Sequence, residues 1–327
     1  MLLVSGDIER RTGGNLYDLR MVRACRRAGV PLRMLTVRSS PQARAVLKRD
    51  RPRVVIVDSI AIPIAAPLVR WMRSELRARV VVLMHMGTAG RGTRTLLRSA
   101  DRVIAASVSL ERMLVSGGVP RQRITVIPPG RDRVPRVAKR KRRGERVRVL
   151  TVANWSPSKG IATLVAAAAH VSELRLDLVG ETVAPAYREL VLRRIRASGI
   201  GHRTFVHGTL GDRALARRYA DADVFALPTE REGYGTVFAE AIAAGLPVVA
   251  ADIAAARDVV GDAGLFVPPR RVRSLAAALR LMTDAWLRRR LATAARSRAR
   301  SLPTWAACEA AFVALVKHEL RATTAGS

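Results

Sequence analysis

The residues best suited to chemistry lie in one stretch of the chain, DVFALPTEREGYGTVFAEAIAAGLPVVA. Gly233 and Gly235 allow the backbone to turn tightly and approach a ligand, and a helical pattern begins at Thr236. The free amides at a helix start favour an anion such as a diphosphate. Glu232 precedes the turn and Glu240 lies one turn into the helix, where carboxylates accept the paired hydroxyls of a sugar. The stretch predicts a binding site for a sugar joined to a diphosphate.

Further candidate residues follow other predicted strands. Gly13 and Gly14 come after the first strand, His85 ends the run VVVLMH, and Lys159 precedes a glycine in VLTVANWSPSKGIATLV. In open parallel sheets, ligands bind beyond the carboxyl ends of the strands, where loops meet helix starts. A glycine pair or a single histidine alone indicates little. The order in which these residues follow the predicted strands is what indicates a ligand-binding site.

The elements that position these residues are two series of strands and helices. Short apolar runs rich in β-branched residues alternate with longer amphipathic segments such as Leu16–Ala28. Such alternation is typical of parallel sheets with right-handed crossovers. The first series predicts strands at 1–5, 33–37, 53–58, 79–84, 101–105 and 124–127, and the second at 147–153, 175–180, 203–207, 223–228 and 247–251. The sequence therefore predicts an α/β protein with two Rossmann-like domains.

The joint between the two series is a basic run, RVAKRKRRGER, at residues 136–146. It has no hydrophobic period and predicts a solvated linker, with a localisation or nucleic-acid tag as the alternative. The expected organisation is an N-terminal domain at 1–135, a C-terminal domain at 147–302, and a final amphipathic helix at 303–321.

The charge of the chain is strongly positive and unevenly distributed. The formal net charge is +32; residues 1–150 carry 34 Lys and Arg against 10 Asp and Glu, and residues 151–327 carry 24 against 16. A basic N-terminal half favours an anionic membrane, a phosphorylated acceptor or a nucleic acid as partner. A compositional bias towards arginine on solvated surfaces is the alternative reading, because only five of the cations are lysine.

Cysteine content and hydropathy exclude several classes of protein. Cys25 and Cys308 form neither a disulfide framework nor a metal-ligand spacing. The N-terminus lacks the basic region of a signal peptide, and the apolar stretches are shorter than the ~20 residues that a membrane span requires. These features predict a soluble cytoplasmic protein, and its positive charge would allow it to bind peripherally to the inner face of the membrane.

The ordered motifs resemble those of retaining glycosyltransferase family 4 over nearly the whole chain. The family signature is E-x7-E with a Gly-aromatic-Gly after the first glutamate, here with Tyr234 as the aromatic residue, and a Gly-x-Pro-Val ending. The stretch DRVIAASVSLERMLVSGGVPRQRITVIPPGRD is similar to the one that leads to Pro-Asn-Gly-x-Asp, with Pro129 in place of the asparagine.

The resemblance implies the GT-B fold, in which two Rossmann-like domains with parallel sheets face each other across a cleft and the last helix crosses back to the N-terminal domain. It implies a UDP- or GDP-sugar donor on the C-terminal domain and an acceptor on the N-terminal one. Glu240 would bind the ribose hydroxyls, Glu232 and the backbone of 233–235 the donor sugar, and Lys159 the diphosphate. Transfer would retain the anomeric configuration through departure and attack on the same face of the sugar.

The resemblance also implies roles for residues of the N-terminal half, and the chain departs from the family pattern at one position of the C-terminal half. Gly13 and Gly14 would approach the phosphates, and His85 would lie near the reacting sugar. Most members carry an arginine five residues before the lysine, where this chain has Asn154. An amide donates a hydrogen bond but no charge, so Asn154 is expected to contact the donor while Lys159 carries a larger share of the neutralisation of the diphosphate.

Other readings remain open at the level of sequence. Asp221 and Asp223 form a D-x-D motif, which binds Mn²⁺ or Mg²⁺ in other glycosyltransferases. Asp223 leads into the amino end of a strand, away from the expected ligand site, so no metal cofactor is expected.

An epimerase or phosphorylase on the same fold is a second reading, and a basic membrane- or nucleic-acid-binding protein without catalysis is a third. Nucleic acid is the less favoured partner because the four tryptophans are scattered along the chain and do not alternate with runs of basic residues. The acceptor is unidentified, with a lipid-linked or phosphorylated molecule expected.

Overall fold

The computed structural model describes residues 1–10, 12–87, 90–131 and 146–324. The chain divides into two compact units. Unit 1 comprises Met1–Gly130 and Pro303–Ser327, and unit 2 comprises Arg131–Leu302. Among the described residues, no helix combines the length and the apolar character needed to cross a bilayer. Most of the predicted linker at 136–146 lies outside the described residues.

Unit 1 contains one six-stranded sheet in which each paired strand is parallel to its neighbour, in the order β2-β1-β3-β4-β5-β6. All five residues of its third strand, VVIVD, are buried, as expected for a central parallel strand covered on both faces. The strands are β1 (Leu2–Val4), β2 (Met34–Thr36), β3 (Val54–Asp58), β4 (Arg79–Met84), β5 (Arg102–Ala105) and β6 (Ile124–Val126). The helices are α1 (Gly13–Arg27), α2 (Ser40–Asp50), α3 (Ile62–Ala65), α4 (Val69–Ser74), α5 (Arg91–Ser99), α6 (Val108–Ser116) and the last helix, α14 (Trp305–Thr324).

Unit 2 contains a second six-stranded parallel sheet, in the order β12-β11-β10-β7-β8-β9. Its strands are β7 (Val147–Val152), β8 (Leu174–Val179), β9 (Thr204–Gly208), β10 (Val224–Leu227), β11 (Val248–Ala251) and β12 (Gly264–Val267). Its helices are α7 (Ile161–Ala169), α8 (Pro185–Ala197), α9 (Asp212–Asp221), α10 (Thr236–Ala243), α11 (Ala254–Val260), α12 (Val272–Leu281) and α13 (Ala285–Ser301).

The two parallel α/β sheets confirm the predicted fold class, and each predicted strand has a counterpart. The edge strand β12 was not predicted, because its four residues begin with glycine and three of them are only half-buried. The first helix begins at Gly13 rather than Leu16, since the Thr12 hydroxyl accepts a hydrogen bond from the Asn15 amide (3.1 Å) and caps it. The glycine pair therefore lies in the first turn of α1.

Helix α14 is built into unit 1 by both apolar and ionic contacts. Trp305 and Phe312 are buried in the same apolar cluster as Leu2 of the first strand. Glu319 is fully buried, and its carboxylate accepts hydrogen bonds from Arg79 (2.6 Å) and Arg102 (3.2 Å), which begin β4 and β5. Helix α14 thus packs against the amino ends of the neighbouring strands β4 and β5.

Candidate functional site

The glycine turn of unit 2 has the geometry of an anion-binding helix start. Gly235 adopts a left-handed conformation with φ of +88°, and a β-carbon there would lie 2.6 Å from the Phe238 ring. Only glycine satisfies both constraints at low cost. Gly235 caps α10 without a side-chain hydrogen bond, and the Phe238 amide donates to the Gly235 carbonyl at 2.9 Å. Within the described ranges, the amides available to a ligand at this helix start are therefore those of Thr236 and Val237.

The two charged residues predicted beside this turn contact each other directly. The Lys159 ammonium donates to Glu232 Oε1 at 2.6 Å, and the two side chains are 20% and 12% exposed. Lys159 follows β7 and Glu232 follows β10, neighbouring strands of the sheet. The pair therefore lies at the carboxyl edge of the sheet, where parallel α/β proteins bind ligands.

Backbone contacts fix the two loops that carry the pair. The Glu230 amide and the Thr229 hydroxyl both donate to the Ser158 carbonyl, at 2.8 and 3.2 Å. Gly160 is left-handed, and a β-carbon there would lie 2.3 Å from the Pro228 carbonyl oxygen. Only glycine allows the two loops to approach this closely. The backbone contacts therefore fix the position of the loop that carries Lys159 relative to the loop that carries Glu232.

Asn154 lies in the loop after β7, one residue beyond a tight crossing of two strand ends. The Ala153 amide donates to the Val179 carbonyl (3.0 Å), and a β-carbon on Gly180 would lie 1.8 Å from the Ala153 carbonyl oxygen. The Asn154 side chain is half-buried and makes no hydrogen bond to any residue in the described ranges. Its amide is therefore available to a ligand, although it brings no charge.

Glu240 lies on α10 and has its own buried partner. The Tyr219 hydroxyl of α9 donates to Glu240 Oε2 at 2.7 Å. Burial and the adjacent carboxylate raise the pKa of Tyr219 well above its ordinary value, so the phenol remains a donor. Tyr219 orients the carboxylate of Glu240. Tyr234, the aromatic residue of the turn, is buried in the apolar core of unit 2.

A second polar cluster lies at the carboxyl edge of the sheet in unit 1. His85 follows β4, Asp58 ends β3, and Asp18 lies on the second turn of α1. His85 Nε2 lies 2.8 Å from Asp18 Oδ1 and 3.9 Å from Asp58 Oδ1. A β-carbon on Gly14 would approach the His85 ring to 3.3 Å, so the second glycine of α1 is packed against the predicted histidine.

Burial and neighbouring charge act against each other on the imidazole. Burial lowers the pKa of His85, but the charge and hydrogen bond of Asp18 and the charge of Asp58 together raise it above its ordinary value. Burial raises the pKa of Asp58, with the charge of Asp18 adding to it and that of His85 opposing it. The cluster therefore favours an imidazolium.

Asp18, Asp58 and His85 could also hold a metal ion, since their ligand atoms all lie within 4.8 Å of one another. No other group of the described residues has a comparable set of ligand atoms. A metal on Nε2 would displace the proton that binds Asp18. We assign the cluster to an ion pair because Nε2 is within hydrogen-bond distance of that carboxylate.

Sequence reasoning missed Asp18, Asp58 and Tyr219. Each of the three contacts a predicted residue that lies on a different helix or strand, and no local sequence pattern predicts such a contact. The one available indication was the carboxylate of Asp58 at the end of the apolar run VVIVD.

The D-x-D pair lies away from the candidate site. Asp223 accepts a hydrogen bond from the Arg148 amide (3.0 Å) at the amino ends of β7 and β10. This position is at the opposite edge of the sheet from Lys159 and Glu232.

Two family models together match residues 4–298. A family model described as "Glycosyltransferase Family 4" matches residues 4–134, and one described as "Glycosyl transferases group 1" matches residues 135–298. A D-inositol 3-phosphate glycosyltransferase of Xylanimonas cellulosilytica is 32% identical over 262 residues, covering 72% of this chain and 62% of that protein. The chain spans 55 to 62% of the length of three such enzymes.

Solved structures share the fold at low identity. Sucrose-phosphate synthase of Thermosynechococcus elongatus matches with a TM-score of 0.80 and 22% identity, covering 100% of this chain and 99% of that one. Anabaena HepE, crystallised with UDP and glucose, matches with a TM-score of 0.77 and 18% identity, covering 97% and 99%.

Proposed function

Because the chain belongs to glycosyltransferase family 4, and is therefore a glycosyltransferase, we propose that it transfers a sugar from a UDP- or GDP-sugar with retention of configuration. The observation that carries the proposal is the contact of Lys159 with Glu232 beside the open helix start at Thr236. A cation, a carboxylate and free amides at one edge suit a diphosphate linked to a sugar. A structural neighbour crystallised with UDP supports this donor class, and a relative named D-inositol 3-phosphate glycosyltransferase supports a phosphorylated acceptor.

In the proposed reaction, Lys159 and the first amides of α10 neutralise the diphosphate. Without a ligand, Glu232 balances the charge of Lys159. When the donor binds, the diphosphate takes over that role and Glu232 turns its acceptor oxygens to the sugar hydroxyls. The bond between the anomeric carbon and the phosphate oxygen breaks, the acceptor oxygen attacks the same face, and its proton passes to the departing phosphate oxygen.

Glu240 is proposed to bind the ribose of the nucleotide. Its carboxylate is already oriented by the Tyr219 hydroxyl, and a carboxylate accepts two neighbouring hydroxyl donors. Asn154, with its side chain available, donates a hydrogen bond to the diphosphate. In this scheme positive charge comes from a side chain and helix amides, so no divalent metal is required.

The proposed acceptor is lipid-linked or phosphorylated, and the site of action is an anionic membrane surface. Large apolar side chains are exposed just after three strands of unit 1: Ile60 after β3 (57% exposed), Met86 after β4 (43%) and Val108 after β5 (50%). Since the carboxyl ends of parallel strands lie at one edge, these side chains share the edge that carries His85. Apolar groups within a basic half of the chain suit an amphipathic acceptor.

The test is a screen of the purified protein against UDP- and GDP-sugars, read by thermal shift and by release of the nucleotide. We expect one donor to raise the melting temperature and to be turned over in the presence of acceptor lipid. An epimerase would instead convert the nucleotide sugar without releasing the nucleotide, and a phosphorylase would depend on inorganic phosphate. Absence of a shift with every donor, together with tight salt-sensitive binding to DNA, would replace the proposal with the non-catalytic alternative.

A further inference from the structure

The His85 ring is held from several sides by residues of unit 1. Asp18 Oδ1 lies 2.8 Å from Nε2, and a β-carbon on Gly14 would approach the ring to 3.3 Å, which is closer than ordinary van der Waals contact. The Tyr17 ring meets the imidazole edge-on, with centroids 5.1 Å apart and planes at 77°. The Tyr17 hydroxyl is tied to the Ile127 carbonyl at 3.1 Å. The ring therefore has one well-defined orientation.

The two ring nitrogens have different surroundings. Nε2 points to Asp18, which is 2% exposed. Nδ1 makes no hydrogen bond to any residue within 1–10, 12–87, 90–131 and 146–324, and His85 lies at the carboxyl edge where ligands bind. Among the described residues, one ring nitrogen thus binds the protein and the other has no hydrogen-bond partner, which leaves Nδ1 as the nitrogen that can bind a substrate.

We propose that Asp18 is a positioning residue, which binds His85 through Nε2–H and so presents Nδ1 to the substrate held at this edge of unit 1. The inference rests on the proposed function, since it names a further residue for the same reaction. When both nitrogens are protonated, Nδ1–H is a cationic donor to a hydroxyl or phosphate oxygen. When the ring is neutral, the proton stays on Nε2 beside Asp18, and Nδ1 becomes an acceptor that no longer binds that oxygen.

The titratable groups that face His85 support this assignment. They are Asp18 and Tyr17 from α1 and Asp58 from β3. Asp18 is at hydrogen-bond distance and Asp58 is 1.1 Å further away, at 3.9 against 2.8 Å. Asp18 is therefore the carboxylate that fixes both the orientation and the protonation of the ring, and Asp58 is the matched control.

The test is an NMR titration of the five histidines of the full chain, with His85 assigned through His85→Gln. In the unmodified protein we expect neutral His85 to keep its proton on Nε2, as read from its ¹⁵N shifts. Asp18→Asn is expected to lower the titration midpoint of His85 more than Asp58→Asn does. Neutral His85 with the proton on Nδ1, or an unchanged midpoint in Asp18→Asn, would overturn the proposal. The tautomer measurement requires no variant of Asp18, so it holds if that variant fails to fold.

Kinetics provide the second readout. Asp18→Asn is expected to reduce kcat/KM about tenfold at pH 8 but by less than about threefold at pH 6, because low pH restores the imidazolium. An equal loss at every pH would indicate a merely structural role and overturn the proposal. One-to-one binding of Zn²⁺ or Mn²⁺ that abolishes the His85 titration would do the same, by assigning the cluster to a metal. A protein inactive with every nucleotide sugar would defeat the proposed function, while the titration would still decide the role of Asp18.

Discussion

Removal of the Lys159 side chain is the sharpest test of the proposed chemistry. Its ammonium lies 2.6 Å from Glu232, and neither side chain is more than 20% exposed. A diphosphate oxygen that replaced the carboxylate at about 4 Å would be attracted by about 4 kcal/mol at an effective dielectric constant of about 20. The charge on the leaving diphosphate grows as the bond breaks, so much of this attraction lowers the barrier.

We therefore expect Lys159→Ala to reduce kcat by about 10²–10³, equivalent to ~3–4 kcal/mol, as when one donor is removed from a preorganised anion site. Lys48→Ala, an exposed lysine on α2, is the control and should leave kcat unchanged. Asn154→Arg in the Lys159→Ala background should recover part of the loss, because it restores a cation in the loop after β7.

The assay is steady-state release of the nucleotide at saturating donor, with melting temperatures compared to exclude unfolding. A Lys159→Ala enzyme within about threefold of the unmodified kcat, a loss under ~1 kcal/mol, would refute the reasoning. In that case another of the many arginines neutralises the diphosphate, and Lys159 serves only to balance Glu232.

Four further outcomes are expected. Glu240→Ala should raise the donor KM far more than it lowers kcat, because contacts to the ribose are equally strong in the ground state and the transition state. Glu232→Ala should instead lower kcat, and steady-state kinetics with varied donor concentration measure both parameters for each variant. Activity should persist in excess EDTA, as followed by nucleotide release, because no metal takes part in the proposed step. The protein should sediment with anionic vesicles at low salt and detach at high salt, at roughly 1 kcal/mol per basic residue near the surface. Glu319→Ala should destabilise unit 1 by about 3–5 kcal/mol, seen as a fall in melting temperature, because it leaves Arg79 and Arg102 without their buried carboxylate.

The controls for these outcomes come from the same chain. Identical kinetic profiles for Glu232→Ala and Glu240→Ala would show that the two roles are wrongly assigned. Activity lost in EDTA and restored by Mn²⁺ would revive the D-x-D reading, and equal sedimentation with neutral vesicles would remove the membrane from the proposal. Glu309→Ala removes a more exposed carboxylate of α14, at 18% against 0% for Glu319, so its effect on melting should be the smaller one.

The sequence predicts most of the fold because the strands are continuous β-branched runs, which are typical of parallel strands buried on both faces. It does not predict β12, whose edge position leaves it half-buried and without a strong apolar run. Gly233, Gly235, Glu232 and Glu240 could be proposed because they share one short stretch of chain.

The contacts of those residues could not be predicted in the same way. Lys159 and Glu232 are separated by 73 residues, and Asp18 and His85 by 67. Such pairs depend on which strands are neighbours in the sheet and on how each loop leaves its strand. Neither is encoded in local periodicity or spacing, so Lys159, Glu232 and His85 were accessible from sequence, whereas their pairing and the partner residue Asp18 were not.

The packing of α14 has a consequence for the order in which the protein is made. Trp305 and Phe312 fill the same core as Leu2, so the earliest part of unit 1 leaves the ribosome long before the helix that covers it. At translation rates of about 5–20 residues per second, the residues from 130 to 305 take roughly 10–35 s to add. During that time a nascent unit 1 exposes the apolar surface that α14 later covers. Maturation of the first unit therefore waits for synthesis of the second.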